Sequence, residues 1–398
     1  MNTNATTRSA VAYSLLTLSD GALRMLVMFH LATVGYSALD LAFVFAGYEL
    51  AGVFTNLYGG RLASRIGLRN TMSLGLSLQV AVLSVLALTP TLPGVWFLCI
   101  LQGLSGVAKD LTKVGAKSSV ATHTSGGQLF AIIALVTGAK NTLKGIGFFL
   151  GAVLFWSVGL QPTLISLVVI VSVGMIVSVT QPQDRGEAPE TKFRSLLSQI
   201  PQINLLAVAR LFLFGSRDIW LAIGMPLFFA AAPGWGFWQS GAVMAGYTIM
   251  YGVIQAATPR LLHGRPAPGG IITALVTTIP AIVCIGVAVL EWRGGLPPWG
   301  MVIMIGIYSS CFAVASAIHS YLIAAYAQAA NVSKNIGLYY SANAVGRLCG
   351  VLLSGYCYVE WGIIGCVLGA ALFCIPAIVC ALPLPRPAGT MQISGSTE

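Results

Sequence analysis

Lys109 and Lys113 stand four residues apart, and so do Lys140 and Lys144. On a helix this spacing stacks two ammonium groups on one face, where like charges repel. Such pairs make sense when an anion sits between them. Arg24, Arg210, Arg217 and Arg347 bring the cations set in apolar surroundings to eight, against four carboxylates, Asp20, Glu49, Asp110 and Asp218. A guanidinium group suits oxyanions that can be gripped by two parallel hydrogen bonds, and an ammonium acts as a point charge for phosphate. The chemistry on offer is the binding of a small polyvalent anion. Its candidate binding set is Arg24, Lys109, Lys113, Lys140, Asn141, Lys144, Arg217 and Arg347. Asn141, like Asn56 and Asn343, has an amide that either bonds between helices or reaches substrate oxygens.

Asp20, Glu49, Asp218 and His319 form a second set, for coupling or gating. Asp20 shares an i,i+4 face with Arg24, so it is expected to hold Arg24 and to release it when the site fills. Glu49 and His319 have two readings, a coupling proton or a hydrogen bond in the core. Arg217 and Asp218 are neighbours in sequence and are expected to point in different directions. Asp218 is then either structural or functional. Arg210 and Lys113 either join the site or snorkel to the membrane surface. His30 reads as interfacial.

The elements that position these residues follow from composition. Hydrophobic residues make up 57% of the 398-residue chain and charged residues 8%, against roughly 25% charged in soluble domains. That excludes a soluble enzyme, a secreted disulfide scaffold and a disordered chain. About 20 apolar residues cross a bilayer, and this window predicts twelve spans. They lie at 11–33, 38–60, 70–89, 94–116, 128–157, 162–180, 203–231, 237–260, 271–290, 299–323, 335–358 and 362–382. The first apolar stretch is long and lacks a small-residue cleavage site, so it is expected to be span one rather than a signal peptide. The fold class is an all-α polytopic membrane protein. Polar residues Gln181–Gln199 divide it into a bundle over 1–180, a linker over 181–202 and a second bundle with a short tail over 203–398.

Loop cations fall on one side. Arg8, Arg61, Arg65, Arg69, Lys117, Arg185, Lys192, Arg194, Arg260, Arg265, Lys334 and Arg386 lie there, and Arg293 lies opposite. By the positive-inside rule both termini are cytoplasmic. Trp156, Trp292, Trp299 and Trp361 read as interfacial anchors. The formal +10 charge is thus a membrane feature and not a nucleic-acid footprint.

Sliding the chain by 199 residues sets Gly35-Tyr36 on Gly234-Trp235, Ala46-Gly47-Tyr48 on Ala245-Gly246-Tyr247, Asn56 on Gln255 and Arg61-Leu62 on Arg260-Leu261. An offset of 203 sets Lys144, Gly147 and Gly151 on Arg347, Gly350 and Ser354. Duplicated halves place a substrate site near the midplane between them. The eight cysteines all fall in apolar spans without C-x-x-C spacing, which reads as packing and not as a metal site. No phosphate-binding loop, zinc-protease motif or nucleophile motif occurs. No cofactor, metal or enzymatic activity is expected.

The segment Gly59–Arg69, GGRLASRIGLR, resembles the loop that marks the major facilitator superfamily. Ser64 stands where that loop carries an Asp, and Leu68 where it carries a basic residue. The resemblance implies two six-helix bundles, without the latch the Asp provides. Four longer strings are similar to the organoarsenical efflux permease family ArsJ. They are Leu18–Val27 (LSDGALRMLV) with Gly35-Tyr36, Gly103–Lys113 (GLSGVAKDLTK), Lys140–Gly151 (KNTLKGIGFFLG) and Ala209–Trp220 (ARLFLFGSRDIW). This resemblance implies a bacterial inner-membrane exporter of 1-arseno-3-phosphoglycerate. A glyceraldehyde-3-phosphate dehydrogenase makes that ester from arsenate, a functional link that needs no complex. Trivalent arsenic would instead call for clustered thiolates. Two rivals remain open, an organophosphate/inorganic phosphate exchanger with the same cations and a drug/proton antiporter, whose cavity should be acidic.

Overall fold

The computed structural model describes residues 3–89, 94–121, 129–182, 197–262, 268–327 and 332–387. Among them there is no strand. The helices are α1 (Thr3–Val34), α2 (Ala38–Ile66), α3 (Leu68–Leu88), α4 (Val95–Ala121), α5 (Leu129–Val158) and α6 (Leu160–Val179) in the first half. The second half has α7 (Pro201–Leu221), α8 (Gly224–Ala231), α9 (Phe237–Leu261), α10 (Gly270–Trp292), α11 (Pro298–Ala327) and α12 (Val332–Ala381). Gly362, at a φ of 59°, breaks α12 into two crossings. With α7 and α8 forming one, the chain crosses twelve times. The turn at 90–93, the linker charges Asp184, Arg185, Glu187, Glu190, Lys192 and Arg194, and Arg265 lie outside the described residues, as do the side chains of Ser64, Lys117 and Lys334.

Two local features depart from the sequence reading, and each has a proline or glycine cause. The seventh crossing is not one continuous helix. A proline ring clashes with the carbonyl four residues before it and offers no N–H to it. Pro226 imposes this on Ala222, and α7 ends at Leu221. The freed N–H groups of Ile223 and Gly224 donate to Ser354 Oγ at 3.3 and 3.2 Å. The second departure lies in the basic loop. Gly59 and Gly60 are helical, α2 runs on to Ile66, and the turn is Gly67 alone, at a φ of 86°. At the other end Ser37 and Asp40 form a reciprocal cap that starts α2.

Among the described residues eight helices are long and apolar enough by composition to cross a membrane; the short α8 and the longer α4, α7 and α9 fall short of that standard. α4 carries Lys109, Asp110 and Lys113, α7 carries Arg210, Arg217 and Asp218, and α9 carries Gly, Thr, Tyr and Gln. The least apolar helices are those that turn a polar face inward. By contrast, α6 exposes Ile165, Val169, Val173 and Ile176 along one stripe, and α10 exposes Ile271, Leu275, Ile282 and Ile285. Such stripes are lipid-facing surface in a membrane bundle. Trp156, Trp292, Trp299 and Trp361 are exposed near helix ends, on the side of Arg293 and opposite the basic loops.

The halves repeat one another in detail. Gly35 and Gly234 both have positive φ, in the turns after the first and seventh crossings. In the first half, Gly147 and Gly151 of α5 press on the α1 backbone at Leu18 and Ala22. In the second, Gly346 and Gly350 of α12 press on α7 at Leu211 and Gly215. The halves meet through α5 against α9 and α2 against α12, backbone to backbone at Gly138 and Gly252. A Cβ on Gly346 would meet the Leu211 carbonyl carbon at 2.7 Å and its Cα at 2.9 Å. Backbone atoms yield little, and overpacking costs about 1–3 kcal/mol. Gly346→Ala is therefore expected to lower the thermal unfolding midpoint in detergent, although alanine is the better helix former. An unchanged midpoint would mean that α7 and α12 are not in close contact there.

Candidate functional site

Between the halves lies a cavity of about 190 Å3. Its wall comes from α1, α2, α4 and α5 of the first half and α7, α9, α11 and the first part of α12 of the second. α3, α6, α10 and the last part of α12 contribute nothing to the lining. All eight intramembrane cations and all four intramembrane acids line this one cavity, a formal balance of +4. The sequence expectation that these charges avoid lipid holds for every one of them. Aromatic contacts bridge the halves beyond the cavity on both sides. Phe29 of α1 meets Phe237 of α9 at 5.0 Å, and Phe130 of α5 meets Tyr321 of α11 at 4.8 Å.

The acids sit deeper than six of the eight cations. Glu49 and Asp110 are each 2% exposed, Asp218 4% and Asp20 6%, whereas the side chains of Arg24, Lys109, Lys113, Lys144, Arg217 and Arg347 are 11–19% exposed. The carboxylates thus form an outer shell in the helix walls, and the cations stand between them and the lumen. An anion entering the cavity meets positive charge first. Each buried carboxylate is satisfied by charged hydrogen bonds, without which its burial would be costly.

In the first half, Lys144 Nζ lies 3.3 Å from Asp20 Oδ2. The Tyr48 hydroxyl donates to Asp20 Oδ1 at 2.5 Å. Lys113 Nζ donates to Asp110 Oδ1 at 3.1 Å and to Asn56 Oδ1 at 2.8 Å. Lys109 Nζ is 3.9 Å from the same Asp110 oxygen and 4.0 Å from the centre of the Tyr48 ring. Thr55 Oγ1 donates to the other oxygen at 3.0 Å. Arg24 Nη1 lies 3.4 Å from Glu49 Oε1.

In the second half, Arg217 Nε donates to Asp218 Oδ1 at 2.6 Å and Arg347 Nε to Asp218 Oδ2 at 3.0 Å. Arg347 also donates to Glu49, an ion pair that crosses from α12 to α2 and so between the halves. Arg210 Nε donates to Asn343 Oδ1 at 3.1 Å, and its Nη1 reaches the Ser316 carbonyl and hydroxyl at 3.2 Å. The Phe214 ring lies under both Arg210 and Arg217, at 3.8 and 4.6 Å. Asn141 Nδ2 donates to Gln255 Oε1 at 2.7 Å across the α5–α9 seam.

Several expectations are corrected. Asp20 holds Lys144 of α5, and Arg24 is held by Glu49 of α2. The i,i+4 spacing puts Asp20 and Arg24 on one face, but neighbouring helices offer each a partner. Arg217 and Asp218 do not diverge; the long arginine side chain folds back to its neighbour's carboxylate. Arg210 does not snorkel: it is 4% exposed and bound inside the second half. Lys113 likewise turns inward to Asp110 and Asn56. His319, 1% exposed on α11, does not line the cavity, and its Nδ1 makes no hydrogen bond. It stands apart from Asp20, Glu49 and Asp218, which do line it. Asn141 spends its amide on the helix seam while remaining in the lining.

The sequence reading passed over Tyr48, which anchors Asp20 and underlies Lys109, and Phe214. Tyr48 had a signal, since the 199-residue repeat sets it on Tyr247, which lines the cavity. Phe214 had none, because an aromatic inside an apolar span looks like core.

A family model described as the Major Facilitator Superfamily matches residues 9–317. No protein of curated function matches the chain. The solved structures that resemble it include the nucleoside transporter NupG, at a TM-score of 0.69 and 14% identity over 95% of this chain and 98% of that one. A proton-dependent oligopeptide transporter aligns at 0.72 and 14% over 96% of both chains. The human organic anion transporter MFSD10 aligns at 0.69 and 17% over 94% of this chain and 99% of that one. These identities speak for the fold alone. A twelve-crossing duplicated bundle around one central cavity, matched by that family model, makes the chain a membrane transporter belonging to the major facilitator superfamily.

Proposed function

We propose that the protein exports a polyvalent organic oxyanion, 1-arseno-3-phosphoglycerate, across the bacterial inner membrane, with both termini cytoplasmic. The observation that carries this reading is the cavity's surplus of four positive charges, with every intramembrane cation and acid gathered there. A charged group at the bilayer centre costs on the order of 2.5–3.5 kcal/mol on insertion scales. Eight cations against four acids would be a poor arrangement for a neutral or cationic cargo. The particular ester comes from the resemblance of the four strings to the ArsJ family.

In this reading Arg24, Lys109, Lys113, Lys140, Asn141, Lys144, Arg217 and Arg347 hold the cargo. Asp20, Glu49 and Asp218 hold those cations in place until it arrives. The units at 1–180 and 203–398 rock about the cavity and expose it alternately to each side. Without a coupling ion, export needs only an outward gradient, which hydrolysis of the ester outside maintains. A glyceraldehyde-3-phosphate dehydrogenase supplies the cargo from arsenate without any contact with the transporter.

Everted vesicles carrying the protein test this directly. Arsenic should accumulate when arsenate is supplied together with the dehydrogenase and its substrates, and not when any of these is omitted. Accumulation from arsenate alone would overturn the ester assignment. Counterflow of labelled inorganic phosphate against glycerol 3-phosphate would instead establish the exchanger reading.

A further inference from the structure

The ion pairs of the cavity fall into two groups that share no member. Lys109 and Lys113 share Asp110, and Lys144 pairs with Asp20. Tyr48 joins these two pairs, its hydroxyl on Asp20 and its ring beneath Lys109. In the other group Arg24 and Arg347 share Glu49, and Arg347 and Arg217 share Asp218. Every cation in the first group is a lysine and every cation in the second an arginine. Each group sets three cations against two carboxylates, and each therefore carries its own surplus. Lys140 and Arg210 keep to the same division, one lysine from the first half and one arginine from the second.

Helix packing gives no reason for such sorting, since either side chain pairs with a carboxylate. The two differ in what they recognise. An ammonium is a compact point charge with three rotatable donors, and it suits a phosphate monoester that spins about its ester bond. A guanidinium is a fixed planar fork that grips two oxygens at once through parallel bonds, so unlike an ammonium it can hold a planar carboxylate, or the paired oxygens of an acyl-linked oxyanion, in one orientation. Phe214 lies under Arg210 and Arg217 and supports their planes. The lysine group stands wholly on the first half, whereas the arginine group draws Arg24 and Glu49 from the first half and Arg217, Asp218 and Arg347 from the second.

Resting on the oxyanion reading above, we infer that the cavity takes a two-ended anion in one orientation, its phosphate monoester at the lysine pole and its acyl end at the arginine pole. The phosphate anchors the cargo to the first half. The acyl end engages the pole that both halves build, so it is this end that ties the halves together. A one-ended anion occupies a single pole.

Binding to the purified full-length protein in detergent, read by isothermal titration, tests the assignment with three stable probes. They are 3-phosphoglycerate, with both ends, glycerol 3-phosphate, with the phosphate alone, and glycerate, with the carboxylate alone. The two-ended probe should bind about tenfold more tightly, or better, than either of the others. Lys113→Gln should weaken the two phosphate-bearing probes and spare glycerate. Arg217→Gln should weaken the two carboxylate-bearing probes and spare glycerol 3-phosphate. Equal affinity of a one-ended and the two-ended probe in the unaltered protein overturns the two-pole assignment and leaves the oxyanion reading standing. So does an equal loss for all three probes in each variant. Failure of all three to bind removes the oxyanion reading and this inference with it.

Discussion

Glu49→Gln is expected to abolish transport and to destabilise the folded protein by about 3–5 kcal/mol, the range for breaking a buried ion pair from one side. Glu49 is 2% exposed and accepts from both Arg24 and Arg347. An amide of the same shape keeps one acceptor oxygen but no charge. Arg347 would retain Asp218, while Arg24 would be left over the Phe45 ring, 4.9 Å from its centre. The loss falls where α1, α2 and α12 converge, so it reaches both halves. Glu49→Gln combined with Arg347→Gln should recover part of the stability, because removing both partners leaves fewer orphaned charges. It should not recover transport. Thermal unfolding in detergent and vesicle uptake give the two readouts. A Glu49→Gln protein as stable as the parent would show that this pair does not hold the halves.

The twelve crossings were legible because hydrocarbon thickness leaves few choices of helix length. The repeat was legible too, and it went further than topology. It set Lys144 on Arg347, and both line the cavity from equivalent helices, α5 and α12. Depth within an apolar span located the charges, since eight cations facing lipid could not be sustained. Partnership was not legible. The i,i+4 rule describes one isolated helix, whereas Asp20 and Arg24 each find their partner on another helix. Nothing in a single span reports the rotation of its neighbours. Tyr48 escaped for a related reason, because its role depends on α1 and α4 meeting at its ring and hydroxyl. The break after Leu221 had a readable cause in Pro226, but an apolar window does not register a lost hydrogen bond.

Lys144→Gln should reduce transport at least about thirtyfold, the factor that corresponds to the lower end of the 2–5 kcal/mol for a truncated buried charge contact, and should leave the protein folded. Lys144 differs from Glu49 in where it stands. Its side chain is 17% exposed and faces the lumen. Its partner Asp20 keeps the Tyr48 hydroxyl when the ammonium is gone. The change therefore falls on cargo more than on packing, and the cavity's surplus drops from four charges to three. Lys140→Gln, one turn away on the same face of α5, should act in the same sense. Lys144→Arg should restore part of the rate, since the charge returns with a different donor geometry. Uptake into vesicles at matched expression, alongside the unfolding midpoint, separates the two effects. Undiminished transport in both glutamine variants would remove these lysines from the site. Undiminished transport in Lys144→Gln alone would leave Lys140 as the α5 contact and shift the phosphate toward Lys109 and Lys113. Loss of folding in Lys144→Gln would mean that Asp20 depends on this ammonium as Arg24 depends on Glu49, making α5 a structural wall of the cavity.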